Sequence, residues 1–584
     1  MHYMDTYHQW LQDPAIDDTT KAELHAIADN EKEIQDRFYQ ELAFGTGGLR
    51  GVLGAGTNRL NIYTIRKATQ GLANYILASD ANKHKPPGTT LSVAIAHDCR
   101  RMSPEFCREA ALVLNASGIA TYVFDSLRPT PLLSYAVRHL GCVAGIVVTA
   151  SHNPPEYNGY KVYWSDGGQC PYPRDEEIIT EVNKVTDFSM VNTLPLAEAT
   201  AKGLYKVAPP EVDDTFIAHV KGMCLNPQLI PETDLKIVFT PLHGAGNVPV
   251  QRALAETGFR HVYVVAAQEA PDGNFPTVDY PNPEDRKAFA LALELARQKD
   301  ADLIVATDPD CDRVGVAVKC AASDGGYRLL SGNETGVVLC DYILSQMQAA
   351  GTLPENAAII STIVSTNMTA AIAAKYGADY MEVLTGFKYI GEKIKEFEET
   401  NSHTYIFGYE ESYGYLAGTY ARDKDAVAAT LLACEAAAFY RKQGMSLYDA
   451  LQQLHTRYGL FRESIESITL KGADGQADIA RIMAALRKNP PKVLAGSPVV
   501  QVRDYLTRTI VDMPGGTVSA ATLPVSDVVY YAMENGAWAC VRPSGTEPKI
   551  KLYFGVTLPG TSTPAEADAG LAQLTQDLKA IALG

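Results

Sequence analysis

Gly145-Ile146-Val147-Val148-Thr149-Ala150-Ser151-His152-Asn153-Pro154 is the stretch on which the reading of this chain turns. The β-branched run is too short for a helix and reads as a strand, and the polar residues after it form a loop at its carboxyl end. In open parallel sheets ligands gather at that end, and a serine hydroxyl presented there can carry a phosphoryl group. A Ser, an Asn and a Pro after a strand also make ordinary turns. Two further segments add chemistry to the loop. Thr307-Asp308-Pro309-Asp310-Cys311-Asp312-Arg313 holds three alternating aspartates suited to a hard cation. Arg542-Pro543-Ser544-Gly545-Thr546-Glu547-Pro548 clusters a guanidinium, hydroxyls and an unhindered glycine N–H suited to a phosphate. Serine, metal and phosphate grip together describe phosphoryl transfer.

Outward from that stretch, short Val/Ile-rich runs alternate with helical patterns, the signature of α/β construction. Three regions repeat a theme. Runs at 92–96, 121–124 and 145–148 lead into Ser151; runs at 236–239, 262–265 and 302–306 lead into the aspartates; runs at 358–364, 380–384 and 404–407 lead into Gly408-Tyr409-Glu410-Glu411-Ser412. A helix is expected over 104–117 with Ser103 as its N-cap. Beyond Tyr440 the pattern shifts to mixed strands (499–504, 528–531, 537–541, 550–554) and a terminal helix from Pro564. The expected domains are 1–205, 206–322, 323–455 and 456–584. Four domains accord with the 584 residues of the chain at about 150 residues each.

Composition narrows the classes of function. With 46% hydrophobic and 20% charged residues the chain is an ordinary globular protein. A net charge of −17 argues against nucleic acid, while a local cluster of Arg and Lys can still hold an anionic substrate, because distant charge is screened. Ten cysteines without paired spacing and a first segment lacking a basic and an apolar region point to the cytoplasm. The apolar stretch from Ala426 to Tyr440 is short for a membrane span and reads as a buried helix. No membrane partner is expected.

In an extended segment Asp308, Asp310 and Asp312 would share one face, and three crowded carboxylates repel unless a cation compensates. A calcium loop fails on Arg313 and Lys319, which stand where Gly and Glu are required; Mg²⁺ fits better. Gly45-Thr46-Gly47-Gly48-Leu49-Arg50-Gly51 is no dinucleotide fingerprint, but it can bring backbone N–H groups and Arg50 against an anion. The nearest approach to a nucleotide-binding lysine loop, from Gly386 to Lys393, has Glu392 where lysine belongs. Glu410, Glu411 and Ser412 supply acceptors for the hydroxyls of a sugar. Ala150-Ser151-His152 lacks the nucleophile elbow of serine hydrolases.

Over essentially its full length the chain resembles the α-D-phosphohexomutases, the phosphoglucomutase/phosphomannomutase family. The motifs FGTGGLRG (44–51), TASHNP (149–154) with NGYKVY (158–163), DPDCDR (308–313) with GYEES (408–412), and RPSGTEP (542–548) match in the family's order. The resemblance implies three similar mixed α/β domains and a smaller C-terminal α+β domain around a central active-site cleft. It implies a phosphorylated Ser151, with Mg²⁺ held by Asp308, Asp310, Asp312 and a phosphoserine oxygen. It further implies exchange of phosphate with a sugar phosphate through glucose 1,6-bisphosphate, which is intermediate and activator. Arg50, His152 and Lys161 are then catalytic, Lys161 mainly as a charge. Glu410, Glu411, Ser412, Arg313, Lys388 and Lys424 contact the sugar phosphate, and Arg542, Ser544, Gly545 and Thr546 hold the phosphate that is not reacting. His403 is a weaker candidate contact. Many relatives have glycines where Pro309 and Cys311 stand, which stiffens the loop and exposes it to oxidants, and Gly47 replaces a serine. GYEESYGY lacks the Ser-Gly-His pattern of dual-specificity members, which favours glucose 1-phosphate over mannose or pentose phosphates. A monomer or homodimer is expected.

Overall fold

A computed structural model describes residues 2–45, 48–86, 88–321, 323–470, 475–544 and 549–583. The chain folds into two compact units. The first comprises Met1–Leu330, Phe387–Tyr405 and Tyr413–Lys442, the second Ser331–Gly386, Ile406–Ser412 and Gln443–Gly584.

The first sheet of the first unit contains β1 (Gly48–Val52), β2 (Ser92–His97), β3 (Ala120–Val123), β4 (Ala144–Val148), β5 (Tyr157–Trp164) and β6 (Tyr205–Val207), in the order β1-β5-β4-β2-β3-β6. Strands β3, β2 and β4 run parallel. All five residues of β4 are buried, as expected of a strand covered on both faces. Ile95, Ile146 and Val148 share a core with Leu72, Phe106 and Leu114 of the helices Ile62–Ala78 and Ser103–Ala116. After Ser151 the chain returns antiparallel as β5, with Ile146 opposite Val162.

The second sheet repeats this plan. It is built from β7 (Lys236–Thr240), β8 (His261–Val264), β9 (Leu303–Thr307), β10 (Val314–Lys319) and β11 (Tyr327–Leu329), in the order β11-β10-β9-β7-β8. Strands β8, β7 and β9 are parallel, and β10 returns antiparallel with Val314 opposite Thr307. The aspartate loop therefore stands on β9 as the serine loop stands on β4.

In the second unit β12 (Ala357–Thr362) pairs in parallel with β13 (Asp379–Val383). Next in the chain come β14 (Thr404–Glu410), which belongs to this unit from Ile406, and β15 (Gly414–Ala417), which belongs to the first. The C-terminal part is an eight-stranded sheet of β16 (Leu460–Thr469), β17 (Val493–Leu494), β18 (Ser497–Asp504), β19 (Thr509–Asp512), β20 (Thr517–Ala520), β21 (Val529–Met533), β22 (Trp538–Pro543) and β23 (Lys549–Leu558). Its pairs are antiparallel. The helices Gly475–Lys488 and Pro564–Leu583 complete its core through Ile482, Leu486, Leu574 and Leu578. Three α/β layers followed by a mainly antiparallel module are the expected class of fold.

Two local expectations change. The helix expected over 104–117 starts at Ser103, and its cap is Met102 in the left-handed region (φ 66). Ser103 turns inward, its hydroxyl 3.3 Å from Asp98 Oδ1. The apolar stretch lies within the helix Ala426–Lys442, which is buried along nearly its whole length. Its Glu435 is buried because it accepts the N–H groups of Leu225 and Asn226 at 3.0 and 2.7 Å. Among the described residues no helix is long and apolar enough to cross a membrane.

Candidate active site

Ser151 sits three residues beyond the end of β4, buried to 3% exposure, with φ +52. A non-glycine residue is rarely found in that region unless its surroundings impose it. Its backbone N–H donates to Thr149 Oγ1 at 2.8 Å, and Thr149 Oγ1 donates to Asp98 Oδ2 at 2.6 Å. Its side chain donates to Asp308 Oδ2 at 2.8 Å and lies 3.1 Å from His152 Nδ1. Two loops far apart in sequence thus meet at one hydroxyl.

The aspartates converge by a turn, not by the strand alternation expected of them. Cys311 adopts φ +53, its N–H donates to the Asp308 carbonyl at 2.9 Å, and the N–H groups of Asp312 and Arg313 donate to Asp308 Oδ1 at 3.1 and 3.0 Å. Asp308, Asp310 and Asp312 are all buried and offer ligand oxygens within 4.8 Å of one another. Asp310 Oδ1 and Asp312 Oδ1 are buried without a hydrogen bond. Buried carboxylate oxygens are costly to leave so, and an all-oxygen set with open lone pairs fits a hard divalent cation. Burial and the charges of Asp310 and Asp312 push Asp308 well above the usual carboxylate range. Burial would raise Asp312 too, but Lys424, Lys161 and Arg313 outweigh it and hold that carboxyl low. Cys311 is fully buried and its thiol is pushed up by burial and by Asp425 and Asp308. The expected sensitivity to oxidants is therefore not supported, since neither access nor thiolate character is provided.

Cationic groups surround the triad. Lys161 Nζ lies 2.9 Å from Asp310 Oδ2 and 3.6 Å from Asp312 Oδ2. Burial opposes its charge, but Asp310 and Asp312 raise its pKa, so it stays an ammonium. Lys424 Nζ is 3.1 Å from Asp312 Oδ2 and 2.8 Å from Asp423 Oδ1. Arg313 pairs with Glu284 at 2.5 Å and approaches Asp312 at 3.9 Å. Burial, then Arg313 and Arg50, push His152 well below the usual histidine value, leaving it neutral.

Arg50 and Lys161 reach this site because β1 pairs with β5, Arg50 opposite Gly159 and Gly48 opposite Lys161. The pairing depends on Gly159, where a Cβ would lie 2.9 Å from the Leu49 carbonyl oxygen on β1. Lys388 is not gathered to the aspartates: it pairs with Asp175 at 3.2 Å. His403 packs against the Phe397 ring at 4.9 Å.

In the second unit Glu410 accepts the Gly386 N–H at 2.8 Å and Glu411 accepts the Thr362 hydroxyl at 2.9 Å. Ser412 follows them at the end of that segment. Arg542 lies on β22 opposite Lys551 of β23, and the Ser544 N–H donates to the Lys549 carbonyl at 2.7 Å. Arg542 and Glu411 both act on the Tyr553 phenol, so these two side chains lie near one ring. Gly545 and Thr546, like Gly47, lie outside the described residues.

Sequence reading passed over His97-Asp98-Cys99-Arg100. Arg100 is 1% exposed and donates to the carbonyls of Ser151 (2.6 Å), Pro154 (2.8 Å), Tyr157 (2.9 Å) and Asn153. Thr130 was also passed over; its hydroxyl donates to Asp310 Oδ2 at 3.0 Å. The available signal was position, since Asp98 and Arg100 follow β2, the strand beside β4.

The chain matches four successive family models, described as Phosphoglucomutase/phosphomannomutase α/β/α domain I (residues 41–188), domain II (214–323), domain III (331–458) and C-terminal domain (473–563). It is 38% identical over 534 residues to a phosphoglucomutase of Staphylococcus aureus (strain bovine RF122 / ET3-1), covering 91% of this chain and 93% of the relative. To a phosphoglucomutase of Staphylococcus epidermidis (strain ATCC 12228 / FDA PCI 1200) it is 37% identical over 526 residues, 90% and 92% of the two chains. Among solved structures, the open form of the Paramecium phosphoprotein parafusin, a phosphoglucomutase, has TM-score 0.68 at 18% identity, covering 93% of this chain and 96% of that one. A phosphoglucomutase/phosphomannomutase family protein of Burkholderia thailandensis has TM-score 0.63 at 18% identity, covering 92% and 97%. At those identities the two structures speak for the fold.

Proposed function

This chain belongs to the phosphoglucomutase/phosphomannomutase family, and on that premise we propose that it interconverts α-D-glucose 1-phosphate and glucose 6-phosphate through a phosphoserine at Ser151. The observation that carries the reading is the Ser151 hydroxyl 2.8 Å from Asp308, beside two buried carboxylate oxygens without hydrogen bonds. Asp308, Asp310, Asp312 and an oxygen of phosphorylated Ser151 would hold Mg²⁺, which when bound offsets negative charge on the phosphoryl oxygens.

The chain's own groups do the rest. In the forward half the P–Oγ bond at Ser151 breaks, a bond from phosphorus to the sugar's free hydroxyl oxygen forms, and that hydroxyl's proton leaves as Oγ gains one. The product is glucose 1,6-bisphosphate, whose other phosphate then returns to Ser151; added bisphosphate primes unphosphorylated enzyme. Lys161, an ammonium between two aspartates, serves as charge for the transferring group, because a proton acceptor must first be unprotonated. Neutral His152 holds Ser151 Oγ through Nδ1, and the hydrogen bond from Ser151 to Asp308 marks the path of the proton that Oγ sheds on accepting phosphate. Arg50, Arg313 and Lys424 add positive charge around the reacting oxygens. Glu410, Glu411 and Ser412 recognise sugar hydroxyls, Arg542 with Ser544, Gly545 and Thr546 grips the idle phosphate, and Lys388 serves if substrate displaces Asp175. All ten cysteines are free thiols, which supports a cytoplasmic setting.

Two assays test the reading. Intact mass should show one phosphate that is lost in Ser151→Ala, and a dehydrogenase-coupled assay should report glucose 6-phosphate from glucose 1-phosphate. Release of inorganic phosphate instead would mark a phosphatase, and faster turnover of mannose or pentose 1-phosphate would overturn the glucose assignment.

A further inference from the structure

Behind the Ser151 loop lies a buried polar network with no place in the reaction steps above. We infer that Arg100, Thr149 and Asp98 are positioning residues for phosphoryl exchange, holding Ser151 in its left-handed conformation with Oγ turned toward Asp308. The inference rests on the phosphoserine reading and deepens it.

The geometry closes on itself. The Arg100 guanidinium donates to four carbonyls, those of Ser151, Asn153 and Pro154 in the loop and of Tyr157 at the start of β5. Its Nε lies 3.3 Å from Asp98 Oδ2, its backbone N–H donates to Asp98 Oδ1 at 2.9 Å, and Phe275 covers the guanidinium at 5.0 Å. Asp98 Oδ2 also accepts from Thr149 Oγ1, which accepts the Ser151 N–H. The backbone of Ser151 is thus gripped at both its N–H and its carbonyl, by groups that touch neither its hydroxyl nor the aspartates' open oxygens. A residue at φ +52 relaxes to ordinary backbone when such a grip is lost, and relaxation swings Oγ away from its line to the acceptor. Misplacement of about 1 Å can cost about a hundredfold in rate. Packing alone does not require this arrangement, since a buried loop needs its carbonyls satisfied but not its serine inverted.

Thr149 supplies the test, because Thr149→Val keeps the shape and removes the acceptor, while Thr149→Ser restores it. The readouts are the single-turnover rate at which glucose 1,6-bisphosphate phosphorylates Ser151, followed by intact mass, the kcat and KM for glucose 1-phosphate, and Tm. Thr149→Val should slow phosphorylation and kcat together by about tenfold or more, leave KM within about twofold, and be rescued by Thr149→Ser. Arg100→Lys, which cannot span four carbonyls with one ammonium, should cost more. If it fails to fold, the Thr149 pair still decides. Wild-type rates in Thr149→Val would overturn the inference alone, whereas absence of phosphate on wild-type Ser151 would overturn it together with the phosphoserine reading.

Discussion

The serine loop and the aspartate loop are built to one plan and finished differently. Each follows a fully buried central strand, β4 or β9, each contains one non-glycine residue near φ +52, Ser151 or Cys311, and each returns on an antiparallel strand. The serine loop is complete as it stands, its carbonyls taken by Arg100 and its N–H by Thr149. The aspartate loop is incomplete: its backbone donors are spent on Asp308, while Asp310 and Asp312 each keep a buried oxygen without a hydrogen bond. On the proposed function, one loop presents a group that changes covalently and returns to place, and it is held by the protein alone. The other keeps vacant lone pairs that a cation can occupy, and is held only in part.

The comparison breaks most sharply at Ser151. Ser151→Ala should abolish turnover, by more than about a thousandfold in kcat, with the fold retained by circular dichroism; near-normal rates would mean the completed loop serves some other end. Next comes the unfinished loop. Removal of divalent metal by chelation should abolish activity and lower Tm, and Mg²⁺ at a hundred times its Kd should return about 2.7 kcal/mol of stability. A calorimetric Tm indifferent to Mg²⁺ would show that the triad is balanced by Lys161 and Lys424 alone. A smaller effect is expected outside both loops, where recognition is separate from chemistry. Arg542→Ala should raise KM roughly tenfold to several hundredfold through loss of one or two charge-assisted hydrogen bonds of about 1.5–3 kcal/mol each.

The smallest effect concerns how the aspartate loop is buttressed. Asp425 caps the helix that begins at Ala426 through the N–H groups of Val427 and Ala428, and the Ala426 N–H reaches the Cys311 carbonyl at 3.3 Å. Burial raises Asp425 to about 6 against hydrogen bonds from Tyr420, Ala428 and Val427. The folded protein therefore binds this proton more tightly than the unfolded chain. Its contribution to stability is full below the unfolded value of about 3.9 and is lost as pH rises through 6. Asp425→Asn, which preserves the cap, should flatten the decline of Tm between those limits, a term on the order of 2–3 kcal/mol. An unchanged pH profile would remove Asp425 from the account.

Much of the site was legible because its chemistry is carried by contiguous residues. A strand followed by TASHNP, or by DPDCDR, announces a polar loop at a strand end, and the threefold recurrence of that pattern announces related layers. Arg100 escaped notice because its importance lies in reaching carbonyls more than fifty residues away, and nothing local distinguishes it from Arg101 beside it. Ser103 looked like a cap, as a serine before a helix commonly does, but a buried acceptor on Asp98 competed for it. The partner of Lys388, Asp175, was not legible either, since long side chains settle on whatever partner folding brings near.

Composition and periodicity by themselves determined that the chain forms successive α/β layers with a different C-terminal module, and which loops carry hydroxyl, carboxylate and guanidinium. Those properties follow from local patterning and from the kinds of side chain present. Only tertiary structure decided that Ser151 Oγ meets Asp308, that Lys161 is locked as a cation, and that Cys311 is sealed from solvent. Each depends on burial and on charges brought together from distant segments, and a linear sequence records neither.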